Sequence, residues 1–332
     1  MSGRKFLLIS SPFRSGSALF SRILNAHSQV SLMNDDLKFF RFCYDRYLPL
    51  SEDSVRRMLS DVAVRMKKRF EIDVDVDGCL KNIIRKQPVD HAAVYSALFE
   101  HLLGDRGTPY IGEMESIAWR EIPLFLEMFP ESKALLIIRD IRDVVVAFKK
   151  KTIAPGNDYL IALFNVLDAM DYFLRYQKEY PDRFFGMRFE ALKENTEQEI
   201  RTVCAFLGLD YEPGMIEEEN WTNFHGETWR NKKVSSFYKE GDADNPVGRW
   251  RRLIEPEDLY LCEWIAALQM QAFGMKPEGP EPAQEVIDRA VARITSSPLL
   301  DEAFTHWRKT GEGVERYPLD PANPQTWDKG PK

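Results

Sequence analysis

The stretch that decides the fold is Lys5–His27, KFLLISSPFRSGSALFSRILNAH. Residues 6–10 form a short apolar run that predicts a buried strand, because a turn rich in chain breakers follows it directly. Residues 17–27 have apolar side chains at helical spacing and predict a helix. A strand, a turn of serine, proline and glycine, and a helix together form the layout of a phosphate-binding loop.

The turn carries groups that suit an anion. Gly16 lets the backbone approach a ligand closely, and Ser15 and Ser17 add hydroxyl donors. Arg14 adds a fixed charge with forked donors, and the following helix adds its N-terminal N–H groups and positive dipole end. The alternative interpretation is a plain turn with a serine N-cap. The GxxxxGK[ST] spacing of a nucleoside triphosphate loop is missing, which favours a less charged ligand that needs no magnesium.

Beyond this stretch, apolar runs and helical patterns alternate along the chain. The later strands are predicted at residues 29–33, 108–116, 133–140 and 183–190. The later helices are predicted at residues 51–70, 88–104, 120–130, 141–151, 157–180, 196–209 and 255–274. The alternation predicts an α/β fold of three layers (α/β/α), with a central parallel sheet and helices on both of its faces.

Composition excludes several classes of function. The 332 residues include 45 basic and 52 acidic side chains, and a net charge of −7 argues against a general nucleic-acid binder. The histidines have no HxxxH or HExxH spacing, so we expect no metal site. No apolar run approaches the length of a membrane span, and we expect a cytoplasmic protein. Buried free thiols are expected at four widely spaced positions, Cys43, Cys79, Cys204 and Cys262.

Ligands of open parallel sheets bind at the carboxyl ends of the strands. Arg139 ends the most apolar of the predicted strands and would deliver its guanidinium to that edge. Ion pairs of this segment with Asp140 or Asp143 are the alternative, and we expect such pairs alongside a ligand-facing Arg139. The other polar strand ends are residues 34–36 and 113–115.

Three motifs resemble, in order, those of the sulfotransferases that use 3′-phosphoadenosine 5′-phosphosulfate (PAPS). SPFRSGSALFSRILNAHSQV, residues 11–30, resembles the family's 5′-phosphosulfate loop in its RSGST-type form, found in the Golgi and bacterial branch. Residues 112–145, GEMESIAWREIPLFLEMFPESKALLIIRDIRDVV, resemble its GEKTP…FPxAKFIxIxRDPRDVV stretch. NPVGRWRRLIEPEDL, residues 245–259, resembles its late glycine–arginine–tryptophan loop.

The resemblance covers roughly residues 5–275 and implies the family's P-loop-like fold. We therefore expect a sulfotransferase domain at 1–275, in which 37–105 is a helical insertion near the acceptor site. Residues 276–332 form a proline-rich extension, expected to pack loosely on the surface.

The resemblance also implies how the donor is held. Its phosphosulfate would lie on the loop, with Arg14 stabilising the charge that grows on the bridging oxygen. Its 3′-phosphate would lie on Arg139, and PAP would be the product. The expected donor-binding residues are Arg14, Ser15, Gly16, Ser17, Ala18, Leu19, Arg139, Ala147, Arg249, Trp250 and Arg251.

Several positions depart from the family pattern. Ala147 stands where the family has a serine that also binds the 3′-phosphate, and the lost hydrogen bond costs about 1 kcal/mol. Met114 stands at the lysine of the EKTP element, and Ala18 at the usual threonine of the loop. Basic residues that could compensate are Lys149, Lys150, Lys232, Lys233, Arg249 and Arg251.

A hydroxyl acceptor must lose a proton during attack, so a carboxylate near the sulfur is expected. The resemblance to the protein-tyrosine branch implies Asp35, next to Asp36, although a helix N-cap and solvated turn over residues 34–36 explains both equally well. Glu113 and Glu115 are the runners-up. The aromatic and basic segment 39–48 is either core packing, which we favour, or the wall of an acceptor site.

The acceptor itself stays open among small molecules, glycans, lipids and peptides, and an oligomer is compatible with the sequence. Two other functional classes compete with a sulfotransferase that transfers a sulfuryl group. One is a P-loop small-molecule kinase, against which the missing GxxxxGK argues. The other is a non-catalytic descendant that binds PAP or a partner protein, which Ala18, Met114 and Ala147 support.

Overall fold

The computed structural model describes residues 4–34, 37–86, 88–104, 107–152, 154–222 and 246–317. Within them lies a five-stranded parallel sheet of order β2-β3-β1-β4-β5. Its strands are β1 (Lys5–Ser11), β2 (Val30–Asn34), β3 (Tyr110–Ser116), β4 (Lys133–Ile138) and β5 (Phe184–Arg188). This arrangement confirms the predicted α/β fold and all five predicted strands.

The middle residues of β1 and β4 are apolar because both faces of the sheet are covered. In β1, Leu8 faces one apolar cluster, and Leu7 and Ile9 face another. In β4, Leu136 faces the same cluster as Leu8, and Leu135 faces the same cluster as Leu7 and Ile9. All five side chains are fully buried.

Fifteen α-helices are found in the described part of the chain. They are α1 (Ser17–Asn25), α2 (Phe39–Phe42), α3 (Glu52–Phe70), α4 (Val76–Arg85), α5 (His91–Leu103), α6 (Ile122–Met128), α7 (Ile141–Lys151), α8 (Ile161–Glu179), α9 (Phe189–Glu194), α10 (Thr196–Leu207), α11 (Trp250–Leu253), α12 (Pro256–Ile265), α13 (Ala267–Ala272), α14 (Gln284–Ile294) and α15 (Pro298–Thr310). Helices α1 and α10 cover one face of the sheet, while α5, α6, α7 and α8 pack on the larger cluster of the other face. The result is the predicted three-layer arrangement.

The insertion after β2 is helical, as predicted, and holds α2 to α5. Its aromatic side chains Phe39, Phe40 and Phe42 are buried in the large cluster, so the core-packing interpretation of the segment is confirmed for them. Helix α3 begins at a capping box in which Ser51 and Ser54 satisfy each other's backbone N–H groups.

The C-terminal extension differs from the loose surface packing that we expected. Helices α14 and α15 bury Ile294, Leu300 and Phe304 in the large cluster, and α15 packs on α8 and α14. The prolines misled the sequence interpretation, since Pro298 is the first residue of α15, where the ring fits a helix. The helix predicted at 255–274 is divided at Ala266 into α12 and α13.

All four cysteines are buried free thiols, as predicted. None of the described helices is long and apolar enough to cross a bilayer. Within the same residues, no cluster of three or more histidine, cysteine, aspartate or glutamate side chains is arranged to hold a metal ion.

Candidate active site

The phosphate loop turns between β1 and α1 through two residues of positive φ. Arg14 has a φ of 67° and Gly16 a φ of 93°. A Cβ at Gly16 would overlap the ring of Phe189, so the loop requires glycine for both its conformation and its packing. Gly16 is the N-cap of α1, and no side chain caps that helix. The serine N-cap interpretation of the turn is therefore wrong.

Serine hydroxyls lie buried at the loop. Ser15 and Ser11 are fully buried, and neither Oγ has a hydrogen-bond partner among the described residues. A buried hydroxyl without a partner costs free energy, and native proteins retain few of them. Two at one loop, beside the start of a helix, could donate to the oxygens of an anionic ligand.

Arg139 extends from the end of β4 to the same loop. Its Nη1 donates to the Arg14 carbonyl at 3.0 Å, and its Nη2 donates to the Pro246 carbonyl. Its guanidinium lies over the Phe189 ring, 4.8 Å from the centroid, and 3.7 Å from a carboxylate oxygen of Asp143. Its Nε has no hydrogen-bond partner within the part of the chain that the structure describes. The predicted pairing with Asp143 is present, and it leaves one buried donor for another group.

The electrostatics of Arg139 also favour an anionic partner. The side chain is 6% exposed. Burial lowers the pKa of the guanidinium, and the positive charges of Arg14 and Arg249 lower it further, against the opposite effects of Asp143 and Glu190. Three arginines therefore raise the positive potential at one edge of the sheet, and an anion bound there would relieve their repulsion.

The late loop is fixed to this edge by Asp143. Its carboxylate accepts the N–H groups of Gly248 at 2.8 Å and Trp250 at 2.9 Å. Burial raises the pKa of Asp143, while Arg139 and these two N–H groups oppose the rise. Asp143 thus links the end of β4 to the loop that carries Arg249.

Other predicted donor residues have different surroundings. Trp250 is buried, with Arg142 stacked on its ring, and Arg251 forms an exposed ion pair with Glu278 at 2.5 Å. Lys149 is paired with Asp258 and Glu255 on the side of α12. Leu19, Ala18 and Ala147 are partly buried, the first two on α1 and the third on α7. Lys232 and Lys233 lie outside the described residues.

Glu113 and Glu115 hold the start of the helical insertion. Both carboxylates are fully buried. Glu113 accepts the N–H groups of Lys38 and Phe39, and Glu115 accepts those of Phe40 and Arg41, at distances of 3.0 to 3.3 Å. Burial and the neighbouring Glu113 raise the pKa of Glu115 well above its usual range.

Asp35 and Asp36, between β2 and α2, lie outside the described residues. Met114, at the position of the motif's lysine, faces the opposite side of the sheet from Glu113 and packs in the smaller apolar cluster. His27 donates through Nε2 to the Asp210 carbonyl at 2.8 Å, and its Nδ1 accepts the N–H of Gln29 at 3.0 Å, so both ring nitrogens have structural partners.

A model described as "Sulfotransferase family" matches residues 7–213, which is more than half of the chain. The chain belongs to the sulfotransferase family. No curated protein matches this sulfotransferase in sequence.

Solved structures with this fold include the sulfotransferase domain of the Synechococcus PCC 7002 olefin synthase, with 15% identity and a TM-score of 0.52. The alignment covers 82% of this sulfotransferase and 95% of that domain. The sulfotransferase domain of the curacin biosynthetic pathway matches with 18% identity and a TM-score of 0.47, covering 87% and 98% of the two chains. Mouse sulfotransferase SULT7A1, complexed with PAP, matches with 11% identity and a TM-score of 0.44, covering 80% and 85%.

Two features of the site were missed from the sequence. Phe189 directly follows β5, so the rule that ligands bind at strand ends could have indicated its contact with Gly16 and Arg139. Tyr317 lies in the extension and packs against Phe13 of the phosphate loop. No signal in the sequence links Tyr317 to Phe13, because the two residues are separated by 304 positions (317 − 13).

Proposed function

We propose that this sulfotransferase transfers a sulfuryl group from PAPS to a hydroxyl or amine of an acceptor. The observation that carries the proposal is the pairing of two anion-binding features on neighbouring strands. The phosphate loop follows β1, and Arg139 ends β4, with its Nη1 donating to the Arg14 carbonyl at 3.0 Å. A donor with negative charge at both ends fits such a pair.

In this proposal the loop binds the 5′-phosphosulfate through its backbone N–H groups and Ser15. The 3′-phosphate lies against Arg139, whose buried Nε has no partner among the described side chains and backbone. Arg249, brought to this edge by the contacts of Asp143 with the late loop, adds a second charge. The 3′-phosphate contact is what separates PAPS from ATP and from adenosine phosphosulfate.

The reaction is an in-line displacement at sulfur. The acceptor oxygen or nitrogen forms a bond to sulfur as the bond between sulfur and the 5′-phosphate oxygen breaks, and PAP leaves. Negative charge grows on that bridging oxygen, by analogy with phosphoryl transfer, and Arg14 with the N–H groups at the start of α1 stabilises it. The acceptor's proton passes to a base.

For the base we propose Asp35, with Glu113 as the second candidate. Glu113 already accepts two backbone N–H groups, those of Lys38 and Phe39, so its carboxylate oxygens are engaged in holding the start of the insertion. Acceptors remain open among small molecules, glycans and lipids. We propose a cytoplasmic location, since four buried free thiols suit a reducing compartment.

The proposal is tested with PAPS labelled on its sulfuryl group and a mixed panel of phenols, alcohols, sugars and amines. We expect label to move to an acceptor as an equal amount of PAP appears. Asp35→Asn lowers the rate about 100-fold if Asp35 is the base, and Glu113→Gln lowers it less. Transfer of phosphate from ATP to the panel, with no transfer from PAPS, would favour a kinase instead.

A further inference from the structure

The C-terminal strap, residues 313–317, is anchored along α8. The N–H of Val314 donates to the Phe164 carbonyl at 3.2 Å. Asn165 and Arg316 exchange two hydrogen bonds, of 2.9 and 2.8 Å, through the Asn165 side chain and the Arg316 backbone. At Gly313 a Cβ would overlap backbone atoms of α8, so the strap lies directly against the helix.

The last residue of the strap reaches the mouth of the phosphate loop. The hydroxyl of Tyr317 donates to the Ser116 carbonyl at the end of β3, at 2.6 Å. The ring of Tyr317 meets the ring of Phe13 edge to face, with centroids 5.5 Å apart. Phe13 also stacks on Phe148 of α7 at 5.7 Å, and it directly precedes Arg14.

Lys38 lies beside these two rings. Its Nζ is 5.6 Å from the centroid of Phe13 and 5.7 Å from that of Tyr317. Its backbone has a φ of 56°, and Glu113 accepts its N–H at 3.0 Å, so its backbone is fixed at the end of the sheet. Aromatic faces within about 6 Å attract an ammonium group. The Lys38 ammonium therefore lies within attractive range of both rings beside the phosphate loop, and the Arg41 guanidinium stacks on the Tyr317 ring as well.

The strand order indicates where Lys38 would lie relative to the proposed donor. Arg139 ends β4, the loop follows β1, and Lys38 and Tyr317 lie at the ends of β2 and β3, on the other side of β1. In the proposed binding mode the 3′-phosphate lies on Arg139 and the 5′-phosphate on the loop. The sulfuryl group extends from the 5′-phosphate, away from the nucleoside, and thus toward β3 and β2.

We propose that Lys38 contacts the sulfuryl oxygens of bound PAPS and that Tyr317 is the residue that positions it. The inference rests on the proposed function and adds a residue to it. Lys38 distinguishes PAPS from the product PAP, because PAP lacks the sulfuryl group. The C-terminal extension thereby takes part in the donor site at its acceptor side.

The test is calorimetry with PAP and with PAPS in the absence of acceptor, which gives the ratio of the two dissociation constants. One charge-assisted contact corresponds to a preference for PAPS of about tenfold. We expect this preference in the wild type and its loss in Lys38→Met, with the affinity for PAP unchanged. Lys38→Arg keeps it, and Lys193→Met, a matched loss of charge at an exposed lysine, has no effect.

Tyr317 is tested by the same ratio. Tyr317→Ala should reduce the preference for PAPS to below about threefold, whereas Tyr317→Phe, which keeps the ring, should retain most of it. A wild type that binds both nucleotides equally, or a Lys38→Met variant with unchanged preference, overturns the inference. Equal loss of PAP and PAPS in Lys38→Met overturns it as well, since the lysine would then serve another part of the nucleotide. Failure of the wild type to bind either nucleotide refutes the proposed function itself.

Discussion

Two regions of the molecule differ in how their contacts arise along the chain. One is the edge of the sheet formed by the phosphate loop and Arg139, which we propose binds the donor and call the donor edge, and the other is the C-terminal strap. At the donor edge, the phosphate loop and Arg139 directly follow their strands, so local sequence fixes where each group lies. At the strap, the contact of Tyr317 with Phe13 joins the two ends of the chain. The difference teaches that the phosphate loop and Arg139 are placed by the strands that they follow, whereas the surroundings of Phe13 also depend on an extension from the far end of the chain.

The largest expected effect concerns the donor edge alone. Arg139→Ala removes a buried guanidinium and should lower the affinity for PAP about 100-fold, the loss expected of a charged hydrogen-bonding group. Calorimetry measures it. Arg201→Ala is the matched control, because Arg201 forms an exposed pair with Glu197 on α10. Equal affinities of Arg139→Ala and wild type would contradict the assignment of the 3′-phosphate.

Gly16→Ala tests whether the backbone conformation of the phosphate loop requires glycine. The alanine would have a φ near 93° and its Cβ would overlap the Phe189 ring. We expect a loss of roughly 2 kcal/mol in the free energy of unfolding, from strain and overpacking together. Urea denaturation measures it, and PAP affinity should fall too. Unchanged stability would mean that the loop tolerates another backbone conformation.

Gly313→Ala is the corresponding change in the strap. Its Cβ would overlap the Phe164 carbonyl and the Asp168 amide, which are backbone atoms and cannot move aside easily. We expect a loss of roughly 1–2 kcal/mol in urea denaturation, with PAP affinity within about twofold of wild type. Gly214→Ala, whose Cβ would meet only the flexible Asn220 side chain, is the control. Loss of PAP binding in Gly313→Ala would remove the distinction between the two regions.

The smallest effect is a pH dependence within the strap. Burial and the nearby Glu121 carboxylate raise the pKa of Glu315 well above its usual range, and burial also raises that of Glu121. Because the folded state favours the protonated form, this contribution to stability is complete below the ordinary glutamate pKa of about 4.3 and is lost as pH rises through the raised value.

Glu315→Gln mimics the protonated form and keeps an acceptor for the Arg120 N–H. Relative to wild type, the variant should therefore become more stable between pH 5 and pH 8, as measured by urea denaturation at each pH. Glu302→Gln is the control, because its partner Arg316 lowers the pKa of Glu302, and its effect should be constant over that range. An equally constant difference for Glu315→Gln would contradict the raised pKa of Glu315.

Much of the fold could be predicted from the sequence, for reasons that differ by element. Strand β4 is an uninterrupted apolar run, and the loop after β1 has glycine where φ is positive. Helices α14 and α15 were not predicted, because several prolines concealed them and their apolar faces matter only against α8 and α12.

In the site, too, groups placed by local sequence could be predicted, whereas groups placed by tertiary contacts could not. Arg139 and the loop could be placed from strand ends alone, and Asp143 was expected to pair within its own segment. Its second role, as acceptor for Gly248 and Trp250, could not be predicted, because it depends on tertiary contacts across more than a hundred residues. Lys38 and Tyr317 escaped notice for the same reason.

The central claim is that the donor edge binds a 3′-phosphorylated adenine nucleotide without a metal. Calorimetry with PAP, adenosine 5′-phosphosulfate and ATP, each with EDTA and with magnesium, tests it most directly. We predict that PAP binds equally well in both conditions and more tightly than adenosine 5′-phosphosulfate, which lacks the 3′-phosphate. Binding of ATP only with magnesium, and no binding of PAP, would contradict the account.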